Sequence, residues 1–325
     1  MLWLASMPEE VLTNLYHPID AFARLKKWTL FMNEAPRHIE RISSRESILG
    51  ENLIIARALP HRTRRTIGAW CFLDHVGPAD FAEDQGMHVG SHPHTHLQTF
   101  TWMIEGDALH RDSLGNEMVI KPGEVNLMTA GYGISHTEDS MHYTKRMHAA
   151  QMWIALPLAV ADMPPAFANY KDLPRWQEQG AQWTVMAGEY AGRKSPATIH
   201  TPLLGMEVLA GDSDVEVDIQ LQPEFEYGLM ALEGSFELQG ENFPMDELAY
   251  LSPEAGAIKV KLAAKSRLLI LGGEPYKDPL VIWWNFLGPN MDAIRGYRAQ
   301  WVSEDARFGV VPQSEGRRLK VPELP

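Results

Sequence analysis

The stretch "GMHVGSHPHTHLQTFTWMIEG", residues 86–106, places four histidines immediately before a run of alternating apolar residues. Alternate residues of an extended chain point to the same side, so His92 and His94 can face a single metal ion. The run from Phe100 to Ile104 continues the alternation with aromatic and aliphatic side chains. It predicts a strand with one side in the interior of a β-barrel, directly after a pair of candidate metal ligands.

A second pair of candidate ligands, His136 and Glu138, follows in "MTAGYGISHTED", residues 128–139. A His-X-His pair alone is a weak signal, because it arises by chance in a histidine-rich chain. Two neighbouring strands with two ligands each would instead supply three neutral nitrogens and one carboxylate. That set suits a divalent first-row metal and leaves two octahedral positions open for water or substrate. We therefore predict one metal site with the ligands His92, His94, His136 and Glu138.

Short strand-like runs, separated by Gly, Pro and Asp, extend from residue 39 to about residue 157, which is typical of all-β folds. The segment 156–174 is proline-rich and lacks a helical stripe, so we interpret it as a connection. The sequence after it resembles the sequence before it. The two stretches "WMIEGDALHRDSLGNEMVIKPGEVNLM" and "MALEGSFELQGENFPMDELAYL" share a strand ending in Glu-Gly, a hairpin and a further strand. This pattern predicts an internal duplication of domain size.

When the two Glu-Gly pairs are aligned, His92 and His94 fall opposite Gln220 and Gln222, and no histidine follows His200. The second half is therefore predicted to keep the barrel and lack the metal ligands. We predict an N-terminal extension at 1–36, a metal-binding domain at 37–157 and a metal-free domain at 158–325. The extension contains a helix start at Ser6, and the last domain contains a helix capped by Asn290 and an extended tail after Gly309.

The composition excludes several classes of protein. The chain has 325 residues with 29 Lys and Arg against 42 Asp and Glu, and the net charge of −13 argues against direct nucleic acid binding. Cys71 is the only cysteine, so no intrachain disulfide can form, which fits a reducing compartment. The sequence has no apolar span of 18 residues and no basic leader. We therefore expect a cytoplasmic protein that does not bind membranes.

The residues around the ligand pairs also match a known family. Gly86, the His92–His94 pair and Gln98 resemble the first cupin motif, and "KPGEV" followed by "GISH" resembles the second. The resemblance to the pirin family of bicupins is carried by "RALPHRTRRTIGAWCFLDHVGP", "HPHTHLQTFTW", "KPGEVNLMTAGYGISHTE", "QMWIALP", "LLILGGEPYKDPLVIWWNF" and the closing "RLKVPELP". It covers the chain from about residue 40 to its end.

The resemblance implies an all-β protein with two cupin domains, each a jelly-roll β-sandwich, and with short helices at the N- and C-termini. It implies one divalent metal in the N-terminal cupin alone. Fe(II) is the expected ion, and Mn, Zn, Ni, Co and Cu remain alternatives. The ligand motif of the family falls on the four residues predicted above: His92, His94, His136 and Glu138.

Three residues depart from the usual pirin stretch after the His-Pro-His motif. Thr95 stands where a positive charge is common, His96 stands in place of glycine, and Gln98 stands in place of an acid. If the alternation continues, the ring of His96 points into the barrel beside the metal. We expect His96 and Gln98 to contact a metal-bound water or the substrate without binding the metal.

The resemblance leaves two functions open. The first is a quercetin 2,3-dioxygenase-like activity on a hydroxylated aromatic such as a flavonol. Glu138 would take the substrate hydroxyl proton, because it is the only carboxylate in the ligand set. The alternative is a non-enzymatic regulator that binds a protein partner according to the Fe(II)/Fe(III) state of its metal.

Overall fold

The computed structural model describes residues 37–50, 53–82, 85–254, 256–314 and 316–324, and these residues fold mainly as β-strands. One α-helix occurs among them, near the C-terminus. The all-β fold predicted from the alternation is therefore confirmed. The helix that was predicted to begin at Ser6 lies outside the described residues.

The strands follow one another along the chain with short connections. The first twelve are β1 (Ile39–Ser43), β2 (Arg45–Leu49), β3 (Leu53–Leu59), β4 (Trp70–Asp80), β5 (His88–His94), β6 (Leu97–Glu105), β7 (Ala108–Asp112), β8 (Glu117–Ile120), β9 (Val125–Thr129), β10 (Ile134–Ser140), β11 (Arg146–Ala155) and β12 (Ala166–Tyr170). The others are β13 (Arg175–Glu178), β14 (Ala181–Ala187), β15 (Glu189–Tyr190), β16 (Arg193–Lys194), β17 (Leu203–Ala210), β18 (Val215–Leu221), β19 (Glu226–Glu233), β20 (Ser235–Leu238), β21 (Glu241–Pro244), β22 (Glu247–Leu251), β23 (Gly256–Leu262), β24 (Arg267–Gly273), β25 (Val281–Trp283) and β26 (Phe286–Gly288). The helix, α1, spans Met291–Val302, and a 3-10 helix spans Ala306–Phe308.

All of these strands except the hairpins β15–β16 and β25–β26 form two copies of one arrangement. The first barrel has a four-stranded sheet in the order β5-β10-β7-β8 and a seven-stranded sheet in the order β12-β9-β6-β11-β4-β3-β2. The second barrel has the corresponding orders β18-β23-β20-β21 and β1-β22-β19-β24-β17-β14-β13. The two orders match strand for strand, so the predicted duplication is a duplication of a complete two-sheet β-sandwich.

The two barrels exchange strands. Strand β1, which precedes the first barrel in the chain, pairs with β22 of the second barrel, with Ile39 opposite Leu251. Strand β12 lies within the predicted connection, and it pairs with β9 of the first barrel, with Ala166 opposite Thr129. The predicted domain limits, 37–157 and 158–325, therefore do not coincide with the sheets, because β1 and β12 each belong to a sheet of the other barrel. Local alternation identifies a strand, but it does not show which sheet the strand joins.

The two seven-stranded sheets share one apolar core. Trp70 and Phe100 meet edge to face with their ring centroids 5.3 Å apart, and the Trp70 indole N–H donates to the Leu204 carbonyl at 3.1 Å. The Trp102 indole N–H donates to Glu207 at 2.7 Å across the same interface. The prediction that Phe100 and Trp102 face the interior of their own barrel is wrong. Both sides of β6 are buried, so hydrophobicity alone could not identify the inward side.

A buried polar cluster lies in this interface, away from the predicted metal ligands. The Nε2 atoms of His75 and His148 lie 2.7 Å apart, and His75 Nδ1 contacts the Asp246 carboxylate at 2.6 Å. Burial, followed by the neighbouring charges of His75 and Arg267, lowers the pKa of His148 to about 3. Through their contacts with Asp246 and Glu233, these histidines join the two barrels.

The interior of the second barrel is apolar. Along β18, Val217, Ile219 and Leu221 are buried, whereas Gln220 and Gln222, the residue after the strand, are exposed. The alignment on the Glu-Gly pairs therefore placed the wrong side of β18 opposite the histidines, because a shift of one residue reverses the direction of every side chain. The prediction that this barrel lacks the histidines is unaffected by the correction.

Helix α1 follows the prediction closely. The Asn290 side chain accepts the Ala293 N–H at 2.9 Å, and Ile294, Tyr297 and Trp301 form the buried stripe. Among the described residues no helix has the length and apolar character needed to cross a membrane.

The chain after α1 returns to the first barrel. The Leu319 N–H donates to the Ser91 carbonyl at 2.8 Å, and Arg318 forms a parallel bridge with Ser91. A Cβ on Gly90 would lie 2.0 Å from the Arg317 carbonyl oxygen, so glycine permits this close approach. The tail after Gly309 was predicted to be extended, but it contains turns at Pro312–Gln313 and Gly316 before it reaches the strand that carries His92 and His94.

Candidate metal centre

Strands β5 and β10 bring three of the predicted ligands together. They are adjacent and antiparallel, and His92 lies directly opposite His136. His92, His94 and His136 are buried, and each offers a nitrogen within 4.8 Å of those of the others. The Nε2 atoms of His94 and His136 are 3.1 Å apart. The spacing read from the sequence therefore corresponds to a three-imidazole cluster in the fold.

The other ring nitrogen of two of these histidines is held by a backbone carbonyl. His92 Nδ1 lies 2.8 Å from the Gly90 oxygen, and His94 Nδ1 lies 3.0 Å from the Asn285 oxygen. A carbonyl only accepts, so each Nδ1 carries the hydrogen and each Nε2 keeps its lone pair. Two of the three buried imidazoles thus keep an Nε2 lone pair, which is the group that binds a metal cation. The donor set therefore fits a metal ion.

Burial also keeps these imidazoles neutral. It lowers the pKa of His92 to about 4, and it lowers the pKa values of His94 and His136 well below the usual histidine value, with further lowering by the neighbouring histidines. Neutral imidazole is the form that binds a metal. At neutral pH these imidazoles are therefore in the form that can bind a cation.

Glu138 lies in the same cavity but outside the cluster of three nitrogens. The β5–β10 register shifts between His136 and Glu138, so Glu138 lies opposite Val89 rather than Gly90. Burial, with a smaller contribution from Asp139, raises the pKa of Glu138 to about 7. Its role as the fourth ligand stays a prediction, because simple alternation does not continue through the irregular register.

A cavity of about 590 Å³ opens onto the histidines. Phe72 and Trp153 form one wall, with their rings stacked 4.0 Å apart at 12°, and Trp153 also meets the His94 ring at 5.1 Å. Next to them, Arg57 pairs with Asp74 through two contacts of 2.6 Å. The cavity has the size and mixed lining of a small-molecule site.

Part of the cavity lining comes from distant parts of the chain. Trp284 and Asn285 contribute from the turn between β25 and β26, and the tail contributes Gly316 to Leu319. The tail is fixed there because the Arg317 guanidinium pairs with Asp139 at 2.6 Å. Sequence analysis did not place Trp284 or the tail at the site, because neither is close to a ligand in the sequence.

His96 and Gln98 lie outside this cavity. His96 has a φ of 57°, and its Nε2 contacts Asp162 at 3.0 Å and the Tyr297 hydroxyl at 3.1 Å. Gln98 donates to Thr129 and to the Thr198 carbonyl, between the two barrels. The expectation that the alternation carries the His96 ring towards the metal is wrong, because the left-handed backbone at this residue ends the extended geometry of β5.

Sequence analysis missed two residues beside the site, His110 and Asp112. Both are fully buried on β7, next to β10, and His110 Nδ1 lies 3.4 Å from His136 Nδ1. Burial alone would raise the pKa of Asp112, but hydrogen bonds from His110 and Asn116 outweigh it and lower that pKa. The signal was the alternation in "ALHRD", residues 108–112, which places both side chains on one side of a strand.

The fold and the site define a bicupin with a histidine cluster in one of its two barrels. The sequence profile of the Pirin family matches residues 52–154, and the profile of the Pirin C-terminal cupin domain matches residues 208–309. The chain is 49% identical over 287 residues to "Putative quercetin 2,3-dioxygenase PA1205" of Pseudomonas aeruginosa, which covers 88% of this chain and 91% of that protein. The chain belongs to the pirin family.

Two solved structures show the same architecture. A crystal structure of quercetin 2,3-dioxygenase from Acinetobacter baumannii matches with a TM-score of 0.86 and 47% identity, over 88% of this chain and 96% of that one. The bacterial pirin YhhW of Escherichia coli, in complex with nickel(II), matches with a TM-score of 0.58 and 20% identity, over 73% of this chain and all of that one. At 20% identity, the second likeness concerns the fold alone.

Proposed function

We propose that this protein is a metal-dependent dioxygenase that acts on a hydroxylated aromatic compound such as a flavonol. The observation that carries the proposal is the stacked pair of Phe72 and Trp153, which leads along the cavity wall to three neutral imidazoles. A flat ring that packs on Trp153 would bring its hydroxyl groups towards a metal held by these nitrogens. Aromatic walls with a few convergent polar groups are typical of small-molecule sites.

The proposed cofactor is one divalent metal, held by His92, His94, His136 and Glu138 and most consistent with Fe(II). A mixed nitrogen and carboxylate set also accepts Mn, Zn, Ni, Co or Cu, so the choice of iron rests on the reaction rather than on the ligands. When bound, the metal supplies a Lewis acid for the substrate oxygen and an electron path towards O₂. The nickel in the E. coli pirin belongs to that protein.

Glu138 is the proposed base for the substrate hydroxyl. Burial raises its pKa to about 7 in the metal-free site, and a bound cation would favour the carboxylate form, which is the form that accepts a proton. It lines the cavity beside the imidazoles, within the space that a bound hydroxyl would occupy. The tail and the Arg57–Asp74 pair would limit the access of water to the same space.

The names of the relatives support the same activity, because a protein 47% identical over most of both chains is a quercetin 2,3-dioxygenase by its description. We further propose that the protein works in the cytoplasm, on the grounds of its single buried cysteine. A protein partner is part of the alternative function, in which the metal reports its redox state to another protein. Direct contact with nucleic acid is not part of either proposal, given the net charge of −13.

The test is oxygen uptake by iron-loaded protein offered a panel of flavonols and simpler catechols. We expect uptake with at least one of them and a loss of at least about 100-fold in Glu138→Gln, since general base catalysis contributes that much. Asp218→Asn, which changes an exposed carboxylate of the second barrel, is the matched control and should keep full activity. Bound iron without uptake on any compound would reject the dioxygenase and favour the redox-dependent regulator.

A further inference from the structure

The three imidazoles of the metal centre are not held in the same way. His92 and His94 each direct Nδ1 at a backbone carbonyl, whereas His136 directs Nδ1 at another imidazole, that of His110. The two Nδ1 atoms are 3.4 Å apart, and His110 is fully buried. A neutral imidazole nitrogen can be a hydrogen-bond donor or acceptor. Which role each Nδ1 atom has in this contact therefore depends on the other partners of His110.

The Asp112 carboxylate determines which nitrogen of His110 carries the hydrogen. Its carboxylate lies 3.2 Å from His110 Nε2, and it also accepts the N–H groups of Leu114 and Asn116 at 2.9 and 3.1 Å. Every group directed at it is a donor, so His110 must present a hydrogen on Nε2. The Nδ1 atom of a neutral His110 then carries a lone pair. His136 can satisfy that lone pair only by donating its own Nδ1–H.

The rest of the fold holds this chain of contacts in place. The ring of His110 stacks on Phe167 of β12 at 4.4 Å and 15°, and Asp112 lies opposite His136 across β7 and β10. The ring plane and the carboxylate are therefore both fixed before a metal binds.

We propose that Asp112 and His110 form a buried relay that sets the tautomer of His136 and strengthens its Nε2 as a metal ligand. They are positioning residues, since neither reaches the cavity. Among the three histidine ligands, the relay makes His136 the one whose donor strength depends on a side-chain charge rather than on a backbone carbonyl. Partners of this kind orient a ligand and make it more basic, and their loss typically reduces metal affinity by about 10- to 100-fold. The inference rests on the proposed metal site, but it does not depend on the dioxygenase activity.

The experiment uses the full chain loaded with Zn(II), with ¹⁵N-labelled histidine and long-range ¹H–¹⁵N spectra that report which ring nitrogen carries hydrogen. In the unaltered protein we expect Nδ1–H on His92, His94 and His136, and Nε2–H on His110. In Asp112→Asn we expect a Zn(II) affinity about 10- to 100-fold lower and a change in the His136 Nδ1 signal. The signals of His92 and His94 should stay in place, because their partners are backbone carbonyls.

Asp246→Asn is the matched control, because it alters the same kind of carboxylate–imidazole contact at His75, in the interface between the barrels. It should leave Zn(II) affinity and the His136 signal unchanged. Two results would overturn the relay: Nδ1–H on His110 in the unaltered protein, or unchanged affinity in Asp112→Asn. The first result needs no variant, so a folding defect in Asp112→Asn cannot rescue the proposal. Absence of Zn(II) binding by the unaltered protein would reject the metal site itself.

Discussion

The two barrels have the same strand order, but the interior of the first is polar at the histidine cluster and the interior of the second is apolar. In the first, the neighbouring strands β5 and β10 place His92 opposite His136. In the second, the corresponding strands β18 and β23 place Ile219 opposite Ile258, and both side chains are buried. The sandwich is therefore compatible with either a polar centre or an apolar core between its sheets. An apolar interior stabilises the fold by burial, whereas the polar interior needs a partner for every nitrogen.

The largest expected effect concerns the polar interior. His92→Ala combined with His136→Ala should abolish stoichiometric metal binding and leave a folded protein, because one histidine alone does not hold the ion. Metal analysis of the purified protein, with circular dichroism for the fold, measures both. The exposed pair Gln220→Ala and Gln222→Ala in the second barrel is the control and should retain the metal. One metal per chain in the histidine double variant would contradict the assignment.

In the apolar interior, a substitution should lower stability and leave metal binding unchanged. Ile219→Ala removes a fully buried side chain, and we expect the free energy of unfolding to fall by about 3 kcal/mol, as for other buried aliphatic truncations. Urea denaturation measures the loss, and metal stoichiometry should remain that of the unaltered protein. Gln220→Ala, at the exposed neighbouring position, should change stability by less than about 0.5 kcal/mol. A loss of metal in Ile219→Ala would show that the two interiors are coupled.

Acidification should weaken the metal centre through Glu138. Its pKa is raised to about 7, so below that pH a metal must displace a proton from the carboxyl, and apparent affinity should fall by up to about tenfold per pH unit. The imidazoles do not contribute in this range, since the pKa of His92 is about 4 and those of His94 and His136 are also well lowered. Titration with Ni(II) at intervals of about half a pH unit, from about pH 5.5 to 8, measures the slope.

The control for this slope is Glu138→Gln. Its affinity should be lower than that of the unaltered protein, but it should be nearly independent of pH between about 6 and 8. A slope that persists in Glu138→Gln would assign the proton to another group. It would then remove the main support for Glu138 as a ligand.

The smallest effect is expected at His96, which the structure places outside the metal cavity. His96→Gly should leave metal affinity unchanged, because the ring contacts Asp162 and Tyr297 rather than the cluster. Glycine also adopts the positive φ of this residue without strain, which offsets part of the lost hydrogen bonding. His94→Gly, two residues earlier, is the matched variant and should lose the metal. A loss of affinity in His96→Gly comparable with that in His94→Gly would contradict the structure.

Much of the fold could be predicted from local signals. Alternation identified the strands, the repeated Glu-Gly pattern identified the duplication, and Asn290 with its buried stripe identified helix α1. Each is a short-range property that the backbone imposes on neighbouring residues. The errors fell where both sides of a strand are buried, as at Phe100 and Trp102, because hydrophobicity then gives no direction.

The histidine cluster could also be predicted from local residue spacing, but the groups around it could not. The sequence alone determined that His92 and His94 share one side of a strand and that His136 follows on another, since side-chain direction in a strand depends on residue spacing. Only the tertiary structure decided which groups surround them: Trp284, the tail, and the His110–Asp112 pair packed on Phe167. Several of these contacts join distant parts of the chain: Arg317 pairs with Asp139, and Phe167 reaches His110 because β12 pairs with β9 of the first barrel. Spacing along the chain carries no information about such pairings, because they are set by which surfaces bury the most area and satisfy the most polar groups.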